Sequence, residues 1–316
     1  MNIKSEKHAK ELKIFNMVYG NKNDLIAMPK DKPDIWVDNL KGENFGVEIT
    51  ELYKDQSEAR LNNVKGYLNK IINLQEYIHK HDKENLKKVN ISYYDKSRKE
   101  EVNIPSVLTK AAGFEEYFKL VELSIIEKSS KSKQYNKNLN YHNLIIHDNT
   151  SGLKFESNTV INFFSKNSIS EAILGSSFEE IYLITFCGQD EYVLPLKRGL
   201  YIYNIYLFDH VVNIAHNIKS ISDELYYDCM FEFLDYRGFK KIRIINNENI
   251  EIIYANSGFV LQNEKIIFNL YDRSLPPNAT QAIIRNCFIN HKTIKLIKEI
   301  ELVFELNSNI GFKVAK

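Results

Sequence analysis

The sequence predicts an α/β protein: a layer of short apolar strands and amphipathic helices over residues 1–195, then a mixed α+β region over 196–316. Three observations carry this. Apolar residues recur at helical spacing near the start, with Leu12, Phe15 and Tyr19 in one stripe. Between helical stretches lie continuous apolar runs, NLIIH at 143–147 and IYLITF at 181–186, of the length and composition of buried strands. Past Pro195 the pattern changes to aromatic-rich helical stretches followed by closely spaced strands.

In chain order, residues 4–19 read as a helix, its stripe widened by Ile14 and Val18 and closed by the turn-forming segment 20–24. Residues 33–52 (PDIWVDNLKGENFGVEITEL) read as a β-hairpin. Its loop is Leu40-Lys41-Gly42, a turn whose last residue is left-handed, where glycine carries no steric cost. Leu61, Val64, Leu68, Ile71, Ile72 and Ile78 predict one long helix over 57–81 with Ser57 as N-cap. A strand over 89–94, a helix over 114–128 and a polar mobile loop over 129–140 follow. In the C-terminal region helices are expected over 201–217 and 222–236, a β-meander over 241–246, 250–256 and 265–269, and a last helix over 293–302.

Composition narrows the function classes. The chain has 316 residues, 44% hydrophobic and 26% charged, and a formal net charge of +1, so no molecule-wide field draws in nucleic acid or an acidic membrane. Three widely separated cysteines give neither a disulfide framework nor a zinc site, which suits a reducing cytoplasm. The charged N-terminus lacks a signal-peptide core, and no run reaches the ~18 apolar residues of a membrane span. The Gly-rich motifs of nucleotide-binding folds and the hydrolase G-x-S-x-G elbow are absent from the sequence.

The chemistry lies in the hairpin. Centring it on Lys41 sets Asn39 against Glu43, Val37 against Phe45 and Asp34 against Glu48. Directly opposite residues share a face with Cβ atoms ~4.5–5.5 Å apart. Two carboxylates so placed repel unless a cation or a proton lies between them. Alternation turns Val47 and Ile49 to a core and Glu48 and Thr50 to the other side. Oxygen ligands of this kind suit Mg²⁺ or Mn²⁺, with the Ile49 carbonyl as a further ligand.

Pro33-Asp34, thirteen intervening residues and then Glu48-Ile49-Thr50 resemble the PD-(D/E)XK nuclease superfamily. Helix 4–19, hairpin 33–52 and helix 57–81 follow the order of that family, which carries its Asp and Glu on adjacent strands. Glu11, followed by Ile14, Phe15 and Val18, matches the further helical Glu of many members. The resemblance covers about residues 5–80. It implies a restriction-endonuclease-like domain and a Mg²⁺- or Mn²⁺-dependent nuclease acting on nucleic acid, DNA in the first instance, by analogy in restriction or phage defence. Asp34, Glu48 and Ile49 would hold the metal, and Glu11, Asp34, Glu48, Thr50 and Lys54 would form the catalytic set. Thr50 stands where the family usually has Lys, so the basic group would come from Lys54 or Lys65. The alternative is a catalytically inactive nuclease-fold module that binds nucleic acid or a partner protein.

Outside the hairpin the signals are weaker. Between Lys54 and Lys137 there are 17 Lys and Arg against 12 Asp and Glu. Lys80, Lys83, Lys87 and Lys88 would line a phosphate path, and Lys128, Lys131, Lys133 and Lys137 a flexible basic arm, or both sets are solvated surface. His79 and His81 lie two apart on a helix and point apart; His147-Asp148 is a weak acid/base candidate. Trp36 reads as core rather than a base-stacking platform; the C-terminal aromatics offer faces for stacking on bases, but their helical spacing reads as core or an interface between two copies.

Overall fold

The computed structural model describes residues 3–20, 25–39, 42–135, 138–150, 157–187, 190–216, 222–240, 242–246, 249–262, 265–270 and 280–281. Helix α1 (Ile3–Tyr19) leads into β1 (Leu25–Pro29), β2 (Ile35–Asn39) and β3 (Asn44–Leu52). Then come α2 (Gln56–Asn63), α3 (Tyr67–Asn69) running into a π-helical turn (Lys70–Leu74), α4 (Asp82–Asn85), and the pair β4 (Lys87–Asp95) and β5 (Glu100–Leu108). Helix α5 (Phe114–Lys131), a 3₁₀ turn (Ser132–Gln134), β6 (Tyr141–Asp148), α6 (Ser157–Ser165), α7 (Asn167–Leu174), β7 (Ile181–Cys187) and β8 (Asp190–Pro195) follow. The rest comprises α8 (Leu196–His216), α9 (Asp223–Tyr236), β9 (Arg243–Asn246), β10 (Ile250–Tyr254), β11 (Ser257–Gln262), β12 (Lys265–Leu270) and β13 (Thr280–Gln281). The expected helix over 293–302 lies outside the described residues.

The protein is α/β, built on a six-stranded mixed sheet in the order β1-β2-β3-β6-β7-β8. Strands β1 to β3 form an antiparallel meander, β3, β6 and β7 run parallel, and β8 returns antiparallel. The parallel pairing requires a crossover, which α5 supplies. Leu144, Ile145, Ile146, Ile181, Leu183 and Ile184 are fully buried, as the central strands of a sheet covered on both faces demand. On one face Ile14 and Phe15 of α1 pack against Ile35, Val37, Phe45, Val47 and Ile49. On the other, Tyr117, Phe118, Val121 and Ile125 of α5 meet Leu52, Leu144 and Ile146. This second core runs without interruption past residue 195 to Tyr201, Phe208, Phe233 and Phe259.

The hairpin has the expected register: Val37 pairs with Phe45, Ile35 with Val47, and the Asn39 N–H donates to the Glu43 carbonyl at 2.8 Å. Gly42 has φ +86°, the left-handed turn position. Gly46 serves a different purpose. A Cβ there would run into the Pro33 ring and lie 2.7 Å from the His142 ring, so glycine lets Pro33 close over β3.

Several expectations fail for local reasons. The helix over 57–81 is broken: Val64 is extended, Gly66 has φ +75° and Gln75 φ +56°. Its N-cap is Asp55, which accepts from the N–H groups of Ser57 (2.8 Å) and Glu58 (2.9 Å), whereas Ser57 is already helical. The loop expected over 129–140 begins as helix, and Lys128 and Lys131 belong to α5. The Lys133 part of the expected basic arm is a 3₁₀ turn, and Lys137 lies outside the described residues. Strands β1, β5, β8 and β11 and helices α6 and α7 add to the expected elements. The C-terminal sheet, ordered β12-β11-β10-β9-β13, is a meander from β9 to β12. Tyr201, Tyr203, Phe208, Tyr226, Tyr227 and Phe233 are buried as core.

Candidate functional site

Three buried carboxylates converge where β2 begins and β3 runs beyond it. Asp34 immediately precedes β2, and the ladder carried one step past Ile35–Val47 sets it opposite Glu48. Glu11 arrives from α1. Each is less than a tenth exposed. Lys7, one turn before Glu11, bridges two of them: its Nζ lies 3.0 Å from Glu11 Oε1 and 3.4 Å from Asp34 Oδ1. Lys128, near the end of α5, donates to Glu48 Oε1 at 2.8 Å.

The proline explains how the backbone joins the site. Ladder hydrogen bonds alternate along β2 and β3, from Asn39–Glu43 through Val37–Phe45 to Ile35–Val47. The next such position sets Ile49 against Pro33, which has no N–H. The Ile49 N–H donates instead to Asp34 Oδ2 at 2.9 Å. Its carbonyl points to the same side of the strand as its N–H, toward Asp34, with no proline donor opposite.

Burial dominates the electrostatics. It raises the Glu11 carboxyl to about 7; the Lys7 hydrogen bond opposes this and the Asp34 charge adds to it. Glu11 Oε2 is buried with no hydrogen-bond partner. Burial and then the Asp34 charge also raise Glu48, with Lys128 acting against them. The Tyr135 hydroxyl faces Glu48, and burial together with that negative charge holds it well above an ordinary phenol. It falls short of hydrogen-bond geometry.

The other expected residues divide. Thr50 is half-buried and shares the Glu48 side of β3 by alternation. Lys54 is not at the carboxylates: its backbone N–H donates to Glu58 at 2.6 Å and its Nζ to the Lys110 carbonyl at 2.9 Å. Lys65 is exposed in the link between α2 and α3. The basic groups at the carboxylates are Lys7 and Lys128. Neither is among the site residues expected from the sequence; for Lys7 the signal that would have found it is its i, i+4 spacing from Glu11. Lys128 lies 80 residues from Glu48, and no spacing rule connects them.

Farther along β3, on the α1 face, Glu51 gathers a separate polar cluster. Lys10 Nζ donates to it at 2.7 Å and Asn149 Nδ2 at 3.2 Å, and His147 Nδ1 lies 3.9 Å away. Although burial opposes it, the His147 and Lys10 contacts hold Glu51 down at about 2. Asp148 turns to the opposite face, accepting from Thr150 and Thr185, so His147 and Asp148 do not pair. A cleft of about 900 Å³ elsewhere, lined by Lys197, Phe239, Arg243 and Tyr254 among others, contains none of the carboxylates.

Comparison with protein-family models, curated proteins and solved structures finds no match to this chain. Among the described residues no three His, Cys, Asp or Glu side chains already stand as a metal-binding group. The donors at Asp34 and Glu48 are nevertheless all oxygen, and one buried oxygen of Glu11 is unpartnered. Mg²⁺ is commonly held by one or two carboxylates and several waters, so this donor set fits it. No helix among the described residues is long and apolar enough to cross a membrane.

Proposed function

We propose that the protein is a Mg²⁺- or Mn²⁺-dependent nuclease of the PD-(D/E)XK type that hydrolyses phosphodiester bonds in DNA. The observation that carries this is the convergence of Asp34 and Glu48 across the β2–β3 register, with Ile49 turned to Asp34 by the missing proline N–H. The order of α1, hairpin and α2 agrees with the resemblance. So does the buried Glu11.

Asp34, Glu48 and the Ile49 carbonyl would hold the cation. When bound, it would lower the pKa of a water and offset charge on a phosphoryl oxygen. Lys7 holds Glu11 and Asp34 together from the α1 side. Glu11 would take a proton from water at this site, a role supported by its one unpartnered buried oxygen and a carboxyl raised to about 7. Thr50 brings a hydroxyl to the Glu48 side but no charge, and Lys128 brings to Glu48 the charge that Thr50 lacks. By analogy, a nuclease of this kind would serve restriction or phage defence.

One observation favours a second reading, a catalytically silent module that binds nucleic acid or a partner protein. Lys128 already neutralises Glu48 and takes one of its oxygens. The test is incubation with duplex DNA, single-stranded DNA and RNA in Mg²⁺ or Mn²⁺, alongside Asp34→Ala and Glu48→Ala. Cleavage abolished by both substitutions supports the nuclease. Binding without cleavage in either metal supports the silent module, and equal cleavage by the variants refutes the site.

A further inference from the structure

Strands β4 and β5 form a two-stranded antiparallel ribbon, separate from both larger sheets, paired from Lys87–Leu108 to Asp95–Glu100. Nine residues per strand make it about 30 Å long. Its root lies just past the C-terminal end of β3, where the Lys54 Nζ donates to the carbonyl of Lys110 just past β5. Val107 packs on the small core of Tyr67, Ile71 and Leu86, while most of the ribbon is exposed.

The two faces of the ribbon differ. One carries the cross-strand pairs Ile91–Ile104 and Tyr93–Val102. These hold together an element that, alone in water, is marginal. The other carries Asn90, Ser92, Tyr94, Glu101 and Asn103, all exposed, with Ser92 and Asn103 hydrogen-bonded across the strands. At its root Val107 packs on the small core and the Lys88 Nζ donates to the Ile72 carbonyl, so only the half toward the tip is open. The tip, between the strands, is Lys96-Ser97-Arg98-Lys99. Over the whole ribbon five Lys and Arg outnumber three Asp and Glu.

We propose that this ribbon enters the major groove of duplex DNA and selects B-form DNA as the substrate of the carboxylate site. This rests on the nuclease reading for the identity of that site. The B-form major groove, about 12 Å wide, admits a two-stranded ribbon, whereas the major groove of A-form RNA is too narrow for one. A ribbon of about 30 Å spans close to one helical turn. Asparagine and serine on the polar face match the donors and acceptors of base edges, adenine above all for asparagine. Lys96, Arg98 and Lys99 complement the phosphates flanking the groove. Arg98 also lies 3.7 Å from Asp95 and 3.8 Å from Glu100, pairs at an exposed tip that phosphate can displace.

The test measures binding of the full chain to a 30-bp DNA duplex, the matching single strand and an RNA duplex, in Ca²⁺ or EDTA, for wild type and Lys96→Glu/Arg98→Glu/Lys99→Glu. Loss of at least about tenfold in duplex-DNA affinity, with the salt slope reduced by about 2 to 3, supports the proposal. Asn90→Ala/Asn103→Ala, which leaves the tip intact, reduces discrimination among duplex sequences. Unchanged duplex binding by the tip variant, wild-type preference for duplex RNA, or absence of nucleic-acid binding, as expected if the ribbon docks on a protein, overturns it. Cleavage is scored separately with Asp34→Asn. Ribbon-dependent binding without cleavage in any metal refutes the nuclease reading alone, and cleavage indifferent to the ribbon refutes this proposal alone. Should the triple reversal fail to fold, the neutral Lys96→Gln/Arg98→Gln/Lys99→Gln variant replaces it, read by the same salt slope.

Discussion

Replacing Glu11 by glutamine should stabilise the protein at pH 8. Its carboxyl is raised from an ordinary 4.5 to about 7, so the folded state binds this proton more tightly than the unfolded chain does. Stability from this group is therefore fully present below about pH 4.5 and falls as pH rises toward 7. A rise from 4.5 to about 7, at ~1.4 kcal/mol per tenfold change in proton affinity, puts the penalty above pH 7 at no more than roughly 3–4 kcal/mol. Glutamine fills the same volume without a charge, and Lys7 keeps its contact with Asp34. Urea unfolding at several pH values should show Glu11→Gln more stable than wild type by about 1–3 kcal/mol at pH 8 and equal near pH 4. Adding Mn²⁺ should stabilise wild type more at pH 8 than at pH 6, because binding displaces the proton, and should help the variant less. A Glu11→Gln protein less stable than wild type at pH 8, with its pH dependence between 4.5 and 7 intact, would refute the reasoning.

Lys128→Met should act in the opposite direction. It leaves Glu48 buried beside Asp34 without its cation, so unfolding at pH 8 should show a loss of about 1–3 kcal/mol, below the range for fully buried pairs because Lys128 is 20% exposed. The loss should shrink as pH is lowered, because burial and the Asp34 charge raise the Glu48 carboxyl, and a loss independent of pH would argue against the pairing. Gly46→Val should cost at least about 1–3 kcal/mol, since its Cβ meets the Pro33 and His142 rings. It should also weaken Mn²⁺-induced stabilisation by moving Asp34 away from Glu48. A variant whose thermal midpoint and metal response match wild type would show that the close approach is unimportant.

The hairpin was legible in the sequence because its information is local. Strand alternation has a period of two, and Gly42 fixes where the chain turns, so Val37–Phe45 and the placing of Asp34 against Glu48 follow within twenty residues. Helix α1 and its Glu11 were legible for the same reason: a stripe of Ile14, Phe15 and Val18 orients the helix on the sheet. Ribbon strand β5 was not, because both its faces are largely solvated and no burial pattern marks it. The helix over 57–81 misled, since its apolar spacing was sound while left-handed Gly66 and Gln75 broke the backbone into pieces around Tyr67 and Ile71.

By itself, then, the sequence determined an α/β chain, the hairpin register and two acids facing one another. Only the tertiary structure decided which charges answer them. Lys54, six residues past Glu48, is drawn to the Lys110 carbonyl, while Lys128, eighty residues away, reaches Glu48 because the crossover demanded by the parallel β3–β6 pairing lays α5 over that face. Register is set by neighbours along the chain; a buried ion pair is set by which elements pack together, and no local pattern records that.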